Sequence, residues 1–191
     1  MQRTLAVATL LSVALSCAAA EALEWGPLVD GLRMSVEVVP DSRGDVQVRV
    51  TINYVGDKPL LLPFAFAGGD GISRHRLRLF VSTPDGQHSF SLDSPAAALR
   101  GRFDPLVIPM LPQASYVLEL PAAAWYRGFT NEQQLGILIQ RQGQLWAELD
   151  CKYMQSTAIP SLPCPLYGSP NPNGIVCWEG KLTSNKLRLP K

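Results

Sequence analysis

The stretch Asp45 to Tyr54, DVQVRVTINY, constrains the fold more than any other part of the chain. Val46, Val48, Val50, Ile52 and Tyr54 share one parity, and Gln47, Arg49, Thr51 and Asn53 the other. Strict alternation is the pattern of a strand with one buried and one wetted face. β-Branched side chains dominate the apolar set, which suits a pleated surface better than a helix. The stretch reads as the central strand of an all-β sandwich.

Turn chemistry and shorter apolar runs frame it. Leu32, Met34, Val36 and Val38 alternate with polar residues as a first strand, and Pro40-Asp41-Ser42-Arg43-Gly44 supplies the turn. A hairpin runs from Leu77, Leu79 and Val81 through Pro84-Asp85-Gly86 to Phe90 and Leu92. Leu106 to Met110 and then Tyr116, Leu118 and Leu120 predict two more strands. Ala122 to Tyr126 predicts a short helical turn, as does Pro95 to Leu99. Gln134 to Ile139 and Leu145 to Tyr153 predict a second hairpin around Gln142-Gly143-Gln144, and Ile175 to Leu189 a last strand after a proline-rich loop. Short strands at this spacing imply a sandwich or barrel of about eight or nine strands.

Met1 to Ala22 reads as a secretory signal: Arg3, an apolar run from Leu5 to Leu15, then small residues that allow cleavage after Ala20 or Ala22. A lipid anchor at Cys17 is a variant reading, with cleavage and release as the default because Ala14 stands where such signals carry Leu. Residues 23–191 form one domain, secreted or periplasmic, with no later transmembrane segment. Losing Arg3 leaves 16 basic against 16 acidic residues, so charge implies neither nucleic-acid nor anionic-membrane binding.

The order TINYVGDKPLLL, LFVSTPDGQ, VIPMLPQASYVLEL and CWEGKLTSNKLRL resembles immunoglobulin-like β-sandwich domains of secreted proteins. Among these are the propeptide-type domains that precede some secreted zinc endopeptidases of the deuterolysin type. The resemblance covers roughly residues 30–190 at the level of pattern. It implies an antiparallel immunoglobulin-like sandwich and a binding or inhibitory role. There is no HExxH, and the chain has two histidines, so no catalytic residue is carried over.

Few residues suggest chemistry. Cys151, Cys164 and Cys177 follow the signal, an odd count that leaves one over if an oxidising compartment pairs two. Parity puts Cys151 on the buried face and Cys177 on the opposite one. Cys164–Cys177 is therefore the first choice, a link of about 3 kcal/mol, and Cys151–Cys177 the second. His75 and His88 sit on the two arms of a hairpin and would need a third ligand such as Asp70, Asp85 or Asp93 to hold a metal; no metal or other cofactor is expected. Asp85, His88 and Ser89 are close in sequence without implying triad geometry. Gly68-Gly69-Asp70-Gly71 lacks the ending of a phosphate loop. Arg43-Gly44-Asp45 matches an adhesion tripeptide, although the turn already accounts for its glycine.

Two surfaces remain. The apolar run with Leu60, Leu62, Phe64 and Phe66 contains Pro63, which favours an edge strand with an exposed patch; a strand covered on both faces is the competing reading. Arg74, Arg76 and Arg78 form a basic stripe or an ordinary solvated face. The functional expectation is a non-enzymatic module recognising an extracytoplasmic protein. The alternatives are an inhibitor or propeptide-like regulator of a secreted protease, and a small hydrolase whose site carries no motif.

Overall fold

In a computed structural model of the chain, the described residues are 23–67, 73–92, 107–126, 134–151 and 176–190. They form an all-β sandwich with one short α-helix. The first sheet has the order β1-β2-β9, from Leu32–Pro40, Val46–Tyr54 and Ser115–Pro121. The expected central strand is β2, and both of its ladders are antiparallel. The second sheet is built on β6 (Leu77–Thr83), β7 (Gly86–Ser91), β10 (Gly143–Asp150) and β12 (Lys181–Thr183), in the order β12-β10-β6-β7. A further strand, β13 (Leu187–Leu189), pairs with the start of β10.

Alternation decides what lies between the sheets. Leu32, Met34 and Val36 of β1 and Val48, Val50 and Ile52 of β2 are buried, and they share one core with Leu77, Leu79 and Val81 of β6 and with Leu145, Ala147 and Leu149 of β10. Full burial of each such side chain stabilises by about 1.5–3 kcal/mol. Polar groups join the layers at one corner. Asn185 mimics a strand: its Oδ1 accepts from the Val36 N–H at 2.7 Å and its Nδ2 donates to the Val36 carbonyl at 3.3 Å. Beside it, the Ser184 hydroxyl accepts from the Ala147 N–H at 2.8 Å. This satisfies edge groups of β1 that would otherwise lose water without a partner.

A smaller sheet extends the first. β3 (Leu60–Pro63) pairs antiparallel with β8 (Val107–Met110) and parallel with the two-residue β11 (Val176–Cys177). The chain then crosses between layers through a small ladder of β4 (Ala65–Ala67) and β5 (Ser73–His75).

Two expectations about elements are corrected. Gln134–Ile139 is an α-helix, α1, and not the first arm of a hairpin. Leu135, Leu138 and Ile139 are buried while Ile137 is 56% exposed, which is helical spacing against the core. Ile175 to Leu189 is no single strand: among the described residues it is divided into β11, β12 and β13. Ala122–Ala124 is a 3-10 turn, as expected. The signal segment, Gly68–Gly71, Pro95–Leu99 and the proline-rich loop with Cys164 lie outside the described residues.

Candidate interaction surface

The apolar run after β2 does not offer the expected patch. Leu60, Leu62 and Phe64 are 6%, 0% and 3% exposed, and β3 has a partner on each side. Pro63 is tolerated because the β11 ladder pairs with Leu60 and Leu61 only. Its missing N–H falls beyond that ladder. The Phe66 side chain lies outside the described residues.

The basic stripe is also broken. Arg78 is exposed on the outer face of the second sheet. Arg76 sits in the bend between β5 and β6, where its Nη1 donates to the Asp150 carbonyl at 3.5 Å. The bend ends the alternation, so the two side chains do not form one row. The Arg74 side chain lies outside the described residues.

His75 and His88 are not brought together. His75 pairs with Ala65 and packs edge-on against Phe64 with ring centroids 6.0 Å apart. His88 stands opposite Val81, further along β6 by about 20 Å of strand. Among the described residues no group of three His, Cys, Asp or Glu side chains is placed to hold a metal ion. His88 shares the inward face of Val81 whereas its neighbour Ser89 is exposed, so Asp85, His88 and Ser89 do not converge. Asp85 instead faces Arg141 at 3.7 Å.

Cys151 is 2% exposed and donates its thiol hydrogen to the Pro63 carbonyl at 2.9 Å. Burial pushes its pKa up to about 12; Arg76 opposes this, and Asp150 and Cys177 add to it. A thiol so placed stays protonated at neutral pH and is a poor nucleophile.

The Arg43-Gly44-Asp45 tripeptide forms the tip of the β1–β2 hairpin and is exposed. The Asp41 carboxylate accepts from the Arg43 and Asp45 N–H groups at 2.7 and 2.8 Å. Gly44 has φ +84°, a conformation that favours glycine.

The most distinctive surface was not visible as a motif. On the outer face of the second sheet, Trp146 of β10 stands opposite Phe80 of β6, and Phe80 opposite Ser89 of β7. The two rings stack with centroids 5.5 Å apart and planes 12° from parallel. The Lys186 ammonium lies 5.4 Å from the centre of the Trp146 ring. Glu148 accepts from the Trp146 indole N–H at 3.2 Å and pairs with Lys181 at 2.7 Å. The ring stack and the cation contact contribute about 0.5–1.5 kcal/mol each, and with the Glu148 hydrogen bond they fix the indole. Arg78 stands opposite Glu148, and the exposed Arg188 opposite Gln144. The face thus carries a half-buried Phe80 laid on Trp146, which its neighbours leave 9% exposed, with a rim mainly of cations. The sequence signal was there: Phe80 and Trp146 are large aromatics at positions whose parity is polar on two strands.

The outer face of the first sheet differs. Arg49 lies between Glu119, at 2.7 Å, and Glu37, at 3.7 Å. The Glu119 hydrogen bond raises the Arg49 pKa despite slight desolvation. Its charges are matched internally, which leaves little for a partner to satisfy.

Comparison with known protein families, with curated proteins and with solved structures finds no match to this chain.

Proposed function

We propose that this protein is an exported, non-enzymatic binding module with an immunoglobulin-like fold, and that it recognises an extracytoplasmic protein through the outer face of the second sheet. One observation carries the reading: the half-buried Phe80, held by its stack on the largely covered Trp146, with the exposed Arg78, Lys186 and Arg188 around it. Aromatic anchors with arginine nearby are the side chains enriched in protein interfaces. The cationic rim suits a partner with acidic residues around an apolar centre. Support for the immunoglobulin-like topology comes from the strand orders β1-β2-β9 and β12-β10-β6-β7. In chain order these correspond to A-B-E and G-F-C-C′ of such a sandwich. Export rests on the apolar segment before Ala22 and the small residues that end it.

The test is capture of extracytoplasmic proteins by the wild-type chain and by two surface variants of equal thermal stability. Phe80→Ser with Arg78→Glu should lose the captured protein, whereas Val117→Ser with Glu119→Lys on the opposite sheet should keep it. Equal capture by both variants, or no capture by the wild type, contradicts the reading.

The protease-inhibitor reading has one specific support, the exposed Asp41–Asp45 turn with both N–H groups of its tip held by Asp41. A loop held in one conformation binds a cleft at lower entropic cost. In that reading Asp41→Ala weakens protease inhibition while the Phe80 and Arg78 changes do not.

A further inference from the structure

Three cysteines leave two pairings of interest, and strand parity alone disfavours Cys151 with Cys177. Opposite parity keeps two side chains apart only within one sheet. Here β10 belongs to the second sheet, whereas β11 is joined to β3.

No S–S bond joins Cys151 and Cys177 in the structure, but β3 brings both alongside one strand. Cys177 is in register with Leu61, and the next residue, Trp178, donates its N–H to the Leu61 carbonyl at 2.8 Å. The Cys151 thiol donates to the carbonyl of Pro63, two positions further along the same strand, at 2.9 Å. Leu61 and Pro63 share a face, and the step between them is about 7 Å. The Cys151 N–H is also bonded to the Gly180 carbonyl at 2.8 Å, so the backbone after Cys177 returns alongside Cys151. A disulfide needs Cα atoms about 4.4–6.8 Å apart.

We infer that Cys151 and Cys177 are the disulfide partners of this protein, linking the end of β10 to β11 and closing the chain between them. Each thiol gives up its hydrogen, one S–S bond forms, and a small-molecule disulfide such as oxidised glutathione accepts the two electrons and two protons to become two thiols. The bond forms before burial is complete, because the folded Cys151 thiol is enclosed and protonated. It replaces the hydrogen bond to Pro63. It also ties the two-residue β11, the shortest strand described, to the larger sheet. Cys164 then keeps its thiol.

Peptide mapping of the full chain decides this. The reduced, denatured protein is refolded in a glutathione redox buffer, which makes the result independent of export, and digested with trypsin without reduction. Cleavage after Arg141, Lys152 and Lys181 places Cys151 in one peptide and Cys164 with Cys177 in the next. The expected product is a crosslink between the two peptides. A further chymotryptic cut after Tyr167 should leave the Cys177 fragment attached to Cys151 and release the Cys164 fragment, alkylated by iodoacetamide. The Cys164→Ser variant should retain the crosslink in full. A link within the second peptide, a link from Cys151 to Cys164, a link of Cys151 or Cys177 to Cys17, or alkylation of both Cys151 and Cys177 overturns the assignment.

Discussion

At the residue scale, Asn185 is the side chain whose chemistry is hardest to replace. It supplies the Val36 backbone with an acceptor and a donor, as a neighbouring strand would. Asn185→Leu leaves both groups without partners, and a stranded polar group costs about 1–3 kcal/mol. The urea midpoint should fall accordingly, whereas Lys186→Ala, one residue on, should cost under about 1 kcal/mol. Cys151 gives a pH prediction for the reduced protein. Its folded pKa, about 12, lies above the ordinary 9.0. Between those values the folded state keeps a proton that the unfolded chain has lost, so stability is complete below pH 9 and declines as pH rises toward 12. The slope approaches about 1.4 kcal/mol per pH unit, and Cys151→Ala should remove that contribution. Equal slopes in denaturation curves of the two proteins between pH 9 and 11 would contradict this account of the thiol.

At the element scale, α1 and the N-terminal strap carry the sharpest expectations. Leu135 is fully buried, and Leu135→Ala should cost about 2–5 kcal/mol. Ile137→Ser, on the exposed side, should stay within about 0.5 kcal/mol. Gly26 donates its N–H to Met34 at 2.9 Å, and any Cβ at this position would run into the Thr183 carbonyl and the Ser184 backbone. Gly26→Ala should therefore cost about 1–3 kcal/mol and raise proteolysis around residues 23–31. The sequence is ambiguous where these elements are ambiguous. Leu135, Ile137 and Ile139 alternate as a strand would, while Leu135, Leu138 and Ile139 repeat as a helix would, and six residues are too few to separate the periods. β2 has nine residues of one pattern and was legible throughout. Leu60–Phe66 is almost uniformly apolar, so alternation could not separate an exposed edge from a covered strand, and Pro63 pointed to the edge. The cover depends on β11, which arrives from more than a hundred residues further on.

At the scale of the whole molecule, parity sorts most of the described strand residues into core or surface, with Ser35, Thr51 and Trp146 buried on the outward parity, and this is why the sandwich was readable from alternation. What alternation could not supply was the pairing between distant strands. Phe80 and Trp146 are ordinary on their own strands, and become one surface only because β6 and β10 are neighbours. The same holds for Cys151 and Cys177, whose separation looked prohibitive while β10 and β11 were imagined in one ladder. The two outer faces differ in charge balance: around Arg49 the ionic groups are matched, and around Trp146 cations predominate. The most direct test of the binding-face assignment is hydrogen exchange of the full chain with and without the protein it captures. Slowed exchange should be confined to 77–83, 143–150 and 181–188, with 46–54 and 115–121 unchanged. Protection centred on 46–54 and 115–121, or none at β6 and β10, would contradict the account.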